Sequence, residues 1–404
     1  VQVHIDKAWD YYVNKSIPQV LELIEDYGVE LIWFDTCHWM PPEFNFRTLQ
    51  AVRELAPNTV VNARIQPGWG DYEGGPDSPN VFPYRKSYWE CIQSTLHSWG
   101  YNKFDEDNRR PTDYLIQMLA TVVSKDGTMM INVGPKGDGT WVENDVTSFA
   151  EIGKWMDVHS ESIHGAGSAP LPVHNWGVAT AKGNDIYLHV FNWPEGGKLQ
   201  VGGLQTKVDK AVLMKGNKSL KVKQKDGMLS VKIPSRPSDP YNSVIKLSFS
   251  SPPEGEFRRP LEADSVNRLH VYDTPLFSGK NMRTGTGKGS EAYLWNWADP
   301  QGLITWKLRA VDAGTYKVHL LYDVSKTGTC GDNYKLTVGD KEFVGTVSRE
   351  GSVDAQWIDA EVELMRMGER ESRRSVMTGD YVGEITLEPG NYDLQLMAAG
   401  EIKH

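Results

Sequence analysis

Over residues 1 to about 172 the chain alternates short, continuous apolar runs with longer amphipathic stretches, and few folds accept that pattern. The apolar runs are Leu31–Asp35 ("LIWFD"), "TVVNAR" at 59–64, "SYWECIQST" at 87–95 and "TMMINVG" at 128–134. Between them lie four helical patterns. "SIPQVLELIED" has Ser16 placed as an N-cap, Pro18 in its first turn and Gly28 as its stop. "PEFNFRTLQAVRELAP" puts Phe46, Leu49, Val52 and Leu55 on one side and meets Pro57. "PTDYLIQMLATVVSKDG" begins at Pro111, and "VENDVTSFAEIGKWMDVHS" presents Phe149, Ile152, Trp155 and Met156 together. Unbroken apolar strands alternating with amphipathic helices form parallel sheets with both faces covered.

A doubly wound nucleotide fold lacks support, because no G-x-G-x-x-G follows a strand and "GTGKGS" (285–290) has Gly289 where a phosphate loop needs Ser or Thr. The remaining parallel architecture is a (β/α)₈-type barrel, whose chemistry sits at the C-terminal strand ends. About four strands are visible where a closed barrel has eight, so the reading is a partial barrel with its other half expected upstream. An open half-barrel leaves sheet edges unpaired and is expected to be inactive alone.

From Pro172 the period changes to two. "GNDIYLHVFNWP", "KAVLMKG", "KSLKVKQKDGMLSVKIP" and "NSVIKLSFS" read as short strands joined by Gly, Asn and Asp turns, so 173–252 is expected to be a small β-sandwich. "SPPEGEFRRP" has the composition of a linker, and 253–404 reads as an accessory β-sandwich, with "RMGERESRRS" a solvated loop. The fold class is therefore α/β plus all-β.

Composition narrows the function. Lys+Arg of 43 against Asp+Glu of 53 gives a net charge of −10, which argues against nucleic acid or an anionic membrane as partner. Three scattered cysteines, Cys37, Cys91 and Cys330, offer neither a disulfide framework nor a zinc site, and no cofactor is implied. Fourteen Trp and 17 Tyr supply flat faces suited to sugar rings, although packing accounts for most of them.

A strand that ends on a carboxylate is the informative departure, because an unpaired buried charge is costly. Asp35 either caps the next helix, pairs with Arg64 one strand over, or serves as a nucleophile or base at the barrel mouth. Its company favours the last: Trp33, His38, Trp39, Arg64, Trp69, Tyr72 and Trp99 all fall at or just after strand ends. That mixture of indole faces with His and Arg donors suits a sugar pocket. Glycoside hydrolysis usually needs a second carboxylate. "QPGWGDYEGGPDSPN" supplies Asp71, Glu73 and Asp77, some of them turn formers, and Glu90 lies within a strand where pairing with a buried base is the simpler reading.

"ELIEDYGVELIWFD", "VVNAR", "GDYEGGPD", "YWECIQSTLHSWGYNK", "LIQMLATVVSKDGTMMINVGPKGDGTW" and "EIGKWMDVHSESIHG" follow one another as in the α-L-fucosidases of glycoside hydrolase family 29, which residues 8 to about 250 resemble. The resemblance implies the second half of a catalytic barrel plus a C-terminal sandwich, a retaining double displacement on α-L-fucosides, and a fucosylated oligosaccharide or polysaccharide as partner. It implies that Asp35 is the nucleophile, Trp33 the indole before it, Arg64 the arginine at the sugar and Trp99 the wall around the fucose methyl. His38, Trp39 and Tyr72 join the substrate-binding set. Many members read "GDYETPE" with the last Glu as acid/base; here the added Gly of "GDYEGGPD" brings Asp77 to that point, ahead of Glu73 and then Glu90. A secreted or periplasmic location, lysosomal in a eukaryote, goes with the family, though the chain shows no signal peptide. The altered acid motif favours one alternative, a non-catalytic sugar-binding protein on a degenerate barrel; another, a glycosidase for a related sugar such as L-galactose or sulfated fucose, would share Asp35 and differ around Trp99 and in the upstream half. In the terminal region Trp295, Trp297, Trp306 and Tyr322 are the exposed-aromatic candidates, about half of which must face the core at period two.

Overall fold

The structure, a computed structural model, describes residues 2–37, 40–77, 84, 87–96, 98–104, 106–262, 265–274, 276–278, 283–286, 292–295, 301–327, 330–364 and 375–400. The architecture is mixed α/β with sheet predominating. The chain divides into two compact units, Val1–Gly75 with Arg85–Cys91, and Pro76–Tyr84 with Ile92–His404. The boundaries expected at 172 and 252 both lie inside the second.

In the first unit, α1 (Gln2–Tyr11) runs through a π-helical turn, Tyr12–Ser16, into α2 (Ile17–Glu25). Ser16 is itself α-helical and makes no side-chain cap, so the expected helix start is the middle of a longer helix. Pro18 lacks an N–H to donate, and the wider π turn before it lets the chain pass that gap. Gly28, at φ 64°, ends the helix by donating its N–H to the Ile24 carbonyl. Strand β1 (Leu31–Ile32) then pairs in parallel with β2 (Val60–Val61), Leu31 opposite Val60. Between them α3 (Pro42–Leu55) has the expected limits but a rotated face: Phe44, Asn45, Thr48 and Val52 are buried, while Phe46 and Leu55 are exposed. Ile24, Ile32, Val52, Val61 and Ile65 form the core that seats the two helices on the two strands. Within the Gly/Pro-rich stretch read as a loop, Glu73–Asp77 is extended as β3. Glu73 N–H donates to the Tyr88 carbonyl at 2.9 Å, beside the start of β4 (Trp89–Ser94).

In the second unit, Thr95 donates to Asn132 at the end of β5 (Gly127–Asn132), with α4 (Thr112–Val123) before that strand and α5 (Glu143–His159) after it. Ile116, Ala120 and Trp155 of these helices share a core with Val178, Tyr187 and Val244. Two antiparallel sheets follow. The larger orders Lys218–Ser219, Lys210–Leu213, Ser243–Ser248, Asp185–Val190, Gly177–Lys182 and Gly167–Ser168; the smaller orders Val222–Lys225, Met228–Lys232 and Lys198–Gly202. Ile186, Leu188, Ile245 and Leu247 of one and Leu199, Val201, Leu229 and Val231 of the other belong to one core.

The end of the expected linker, Arg258–Leu261, is a strand that pairs in parallel with Leu303–Ala310 and begins a third sheet. Leu303–Ala310 alternates in burial residue by residue, placing Ile304, Trp306, Leu308 and Ala310 inside. Trp306 is therefore a core residue, its indole N–H donating to the His270 carbonyl at 3.0 Å. Tyr322 donates its hydroxyl to Asp380 at 2.9 Å. The side chain of Trp295, Trp297, and residues 366–374 of the charged stretch lie outside what is described. No helix among the described residues is long and apolar enough to cross a membrane.

Candidate functional site

Strand β1 stops at Ile32, yet the chain stays extended in effect because a side chain continues the ladder. Asn62, fully buried just after β2, donates its Nδ2 to the Phe34 carbonyl at 2.9 Å and accepts the Phe34 N–H on Oδ1 at 2.8 Å. An amide group presents the same donor–acceptor pair as a peptide, so it pins Phe34 as a neighbouring strand would. A second buried asparagine, Asn45 on α3, donates to the Cys37 carbonyl at 2.8 Å and to Gln66 Oε1 at 3.0 Å. Asp35 lies between these two clamps. Immediately after it Thr36 adopts φ 55°, an uncommon left-handed conformation for a β-branched residue. Such strain persists where the surroundings over-determine the backbone.

The Asp35 carboxylate is 55% exposed and receives Arg64 Nη1 at 2.8 Å, while the arginine side chain is 18% exposed. The Arg64 guanidinium lies over the Trp33 ring at 4.7 Å. Trp33 in turn donates its indole N–H to Glu90 Oε1 at 2.6 Å, and Tyr72 donates its hydroxyl to Glu90 Oε2 at 3.3 Å. Burial, and then the Glu90 carboxylate, push the Tyr72 phenol well above its ordinary value, so it remains a donor. A chain of contacts thus runs from Glu90 through Trp33 and Arg64 to Asp35. Glu90 is paired inside the fold as expected, but with an indole and a phenol rather than a base. Donors occupy both of its oxygens.

Asp71 is structural: it takes both Arg53 Nη2 contacts, at 2.8 and 2.7 Å, and the Val61 N–H at 2.7 Å. Glu73 opens β3 with an exposed side chain, and the next residue, Gly74, lies against Arg64, where an added Cβ would meet Cγ at 3.6 Å. Gly75 approaches β4 so closely that a Cβ would stand 2.3 Å from the Glu90 carbonyl oxygen. That contact explains the last Gly of "GDYEGGPD". Asp77 closes β3, but its side chain lies outside what is described, as do His38 and Trp39. Trp99, in the second unit, is 37% exposed and its carbonyl accepts Asn132 Nδ2 at 2.9 Å. The residues missed in the sequence are Asn45 and Asn62. The one available signal was a polar residue inside the apolar run "VVNAR".

An exposed carboxylate three residues past a short parallel strand is thus held by an arginine that lies over an indole. Residues 2–161 match the family model described as Alpha-L-fucosidase. An α-L-fucosidase of Dictyostelium discoideum is 28% identical over 266 residues, 59% of this chain and 57% of that protein. A solved α-L-fucosidase from Vibrio sp. strain EJY3 superposes with a TM-score of 0.71 over 98% of this chain and 68% of its own, at 20% identity, which speaks for the fold alone. A family 29 α-L-fucosidase from Bacteroides thetaiotaomicron, solved as a covalent intermediate trapped with 2-fluoro-fucosyl fluoride in a glutamate-to-glutamine mutant, is 25% identical with a TM-score of 0.51, over 57% of this chain and 59% of that one. Residues 2–161 thus resemble the α-L-fucosidases, which are glycoside hydrolases. The chain spans about half the length of the curated relatives it matches.

Proposed function

We propose that this chain carries the nucleophile-bearing part of a retaining α-L-fucosidase site, acting on a fucosylated oligosaccharide or polysaccharide. The observation that carries the reading is Asp35 itself: exposed at the end of β1, held by Arg64, and braced on both sides by buried amides. In this scheme the Asp35 carboxylate attacks the anomeric carbon as the glycosidic bond breaks, forming a glycosyl ester. Arg64 fixes which carboxylate oxygen is presented, and the Trp33–Glu90 contact fixes Arg64. The Bacteroides relative supports a covalent step, since replacing one glutamate there left the intermediate trapped. A residue whose loss has that effect is one needed to activate water.

In this chain the acid/base belongs to Asp77 or Glu73, which would stand roughly 5 to 5.5 Å from the nucleophile. Glu90 is the poorer fit because both its oxygens are engaged. We read 1–172 as part of a (β/α)₈-like barrel, 173–252 as a β-sandwich and 253–404 as an accessory sandwich, in a secreted, periplasmic or lysosomal setting. The outer edge of β1 is unpaired among the described residues, which supports completion of the barrel by a further segment. Sugar binding without hydrolysis is the competing reading, favoured by "GDYEGGPD"; hydrolysis of L-galactosides or sulfated fucosides is a further one, which would keep Asp35 and differ around Trp99.

Treating the protein, with its barrel completed, with 2-fluoro-fucosyl fluoride and mapping the label by peptide mass spectrometry tests the scheme directly. The expected adduct is on Asp35. Asp35→Gly should lower aryl α-L-fucoside turnover by at least a thousandfold and recover part of it in azide, about 4 kcal/mol of barrier. Label on another carboxylate, or turnover retained in the variant, would remove Asp35 from the reaction.

A further inference from the structure

In the terminal region, Gly314–Ser325 and Ser375–Leu387 pair antiparallel, with one irregularity: Val318 faces Gly383 while His319 faces Tyr381. Val382 is thus the extra residue of a β-bulge, and it packs toward the core that holds Ile385 and Leu396. Bulges re-aim the side chains beside them. Here the result is a row of three rings, with His319 between Trp357, 5.0 Å away at 30°, and Tyr381, 5.2 Å away at 46°. Tyr381 is 44% exposed, and His319 and Trp357 are half-buried.

The row is built firmly. Trp357 stands on the first turn of the helix Ala355–Leu364, which is anchored by Ile358 at 1% exposure. The segment before that helix is tied to the bulged strand: Ser352 and Val353 donate their N–H groups to the Gly379 carbonyl at 2.8 and 3.1 Å, and Tyr381 N–H donates to Ser352 Oγ at 3.1 Å. The buried His319 Nδ1 has no hydrogen-bond partner among the described residues, and Asp354 is exposed beside it. Trp357 and Tyr381 are thus held on fixed backbone beside the exposed Asp354 carboxylate.

We propose that Trp357, His319 and Tyr381 form an accessory binding site for a neutral pyranose ring of a glycan. The apolar face of the ring stacks on the indole and phenol, and its hydroxyls bond to the exposed Asp354 carboxylate. The bare Asp354 carboxylate excludes anionic sugars, since Lys317 faces Glu384 across the ladder and leaves the rim net acidic. The site shares with the fucosidase reading the premise that the chain meets glycans, but its test needs no hydrolysis.

Affinity electrophoresis of the intact chain against xyloglucan, galactan, mannan and sulfated fucan reads the site. Retardation by at least one neutral polysaccharide is expected, with Trp357→Ala and Tyr381→Ser each weakening it tenfold or more. Trp357 fluorescence should change on binding in a Tyr381→Phe protein, which keeps the ring, and the circular dichroism of each variant should match the parent. No retardation by any neutral polymer, retardation by sulfated fucan alone, or retardation unchanged in Tyr381→Ser would each overturn the proposal. Loss of aryl-fucosidase activity in Asp35→Gly with glycan retardation intact separates the two sites.

Discussion

Asp35 is presented by two residues that never touch substrate in this scheme. Asn62 takes over both backbone groups of Phe34, and Asn45 takes the Cys37 carbonyl, so the carboxylate is carried on a segment pinned at each end. Removing one amide leaves buried peptide groups without partners, each costing about 1–3 kcal/mol. Asn62→Ala is expected to destabilise the first unit by about 2–4 kcal/mol in urea unfolding and to lower fucoside turnover through a displaced Asp35. Asn62→Asp, which keeps the acceptor for Phe34 N–H but loses the donor, should fall between. Parent-like stability in Asn62→Ala would mean that the Phe34 segment holds its shape without the amide. At the same scale Glu73 and Glu90 separate in role: one carboxylate is exposed at a strand start, the other is committed to two donors.

The paired sheets of the second unit depend on histidines that fold in the neutral form. His174 Nδ1 contacts the Pro172 carbonyl at 2.8 Å, while Nε2 accepts the Gly202 N–H at 2.9 Å, so only Nδ1 can carry the proton. His189 lies between Thr180 and Asn242 at 3.1 and 3.0 Å. Burial, with Arg259 adding to it, lowers His174 to about 3. Burial lowers His189 to about 3 and His159, whose ring is tilted against Trp155 at 4.9 Å, to about 4. Unfolded histidine titrates near ~6.5, so below that pH the unfolded chain binds protons that the folded chain refuses. The stability these residues contribute is complete above ~6.5 and drains away as pH falls toward their folded values, by up to about 1.4 kcal/mol per pH unit for each. Denaturant midpoints should therefore decline between pH 6.5 and 5, before most carboxylates titrate, and His174→Gln should flatten that decline. A midpoint constant over the same interval would show that the three rings protonate in place.

Within the second unit, the family-matching sequence is bound to the terminal region by a buried ion pair. Lys125, of the "VSKDG" motif, is 1% exposed at its side chain and bonds to the Tyr272 carbonyl at 3.0 Å and Asp273 Oδ1 at 3.2 Å. Its ammonium also sits between the Tyr84 and Tyr272 rings at 5.1 and 5.4 Å. Burial pulls Lys125 down and Asp273 opposes that pull; Asp273 is raised by burial but held well below the carboxylate range by Lys125 and His270. Losing one member of such a pair strands the other, typically at about 3–5 kcal/mol, whereas an apolar pair of similar volume is often neutral. Asp273→Asn is expected to lower unfolding stability by about that amount, and Lys125→Met with Asp273→Leu to recover most of it. Additive losses in the double variant would show that the two side chains are not coupled. The terminal region thus behaves as a structural neighbour of the motif rather than a tethered appendage.

Period and punctuation alone determined a good deal of this protein. Continuous apolar runs separated by amphipathic helices led to the parallel β1–β2 pair, the limits of α3 and α4, and an acid at a strand end, because backbone periodicity and turn chemistry are local properties. The change to period two after Pro172 likewise announced the antiparallel sheets. What tertiary structure decided is each feature that needs a partner distant in sequence. The rotated buried face of α3, the continuation of α1 through Ser16, and β3 inside a Gly/Pro-rich stretch depend on what packs beside them, which local propensity does not encode. So do the Asn62 and Asn45 clamps, the pairing of Glu90 with Trp33 across 57 residues, and the aromatic row at the Val382 bulge. An asparagine in a strand reads as a flaw until the peptide it completes is in view, and only the fold brings that peptide to it.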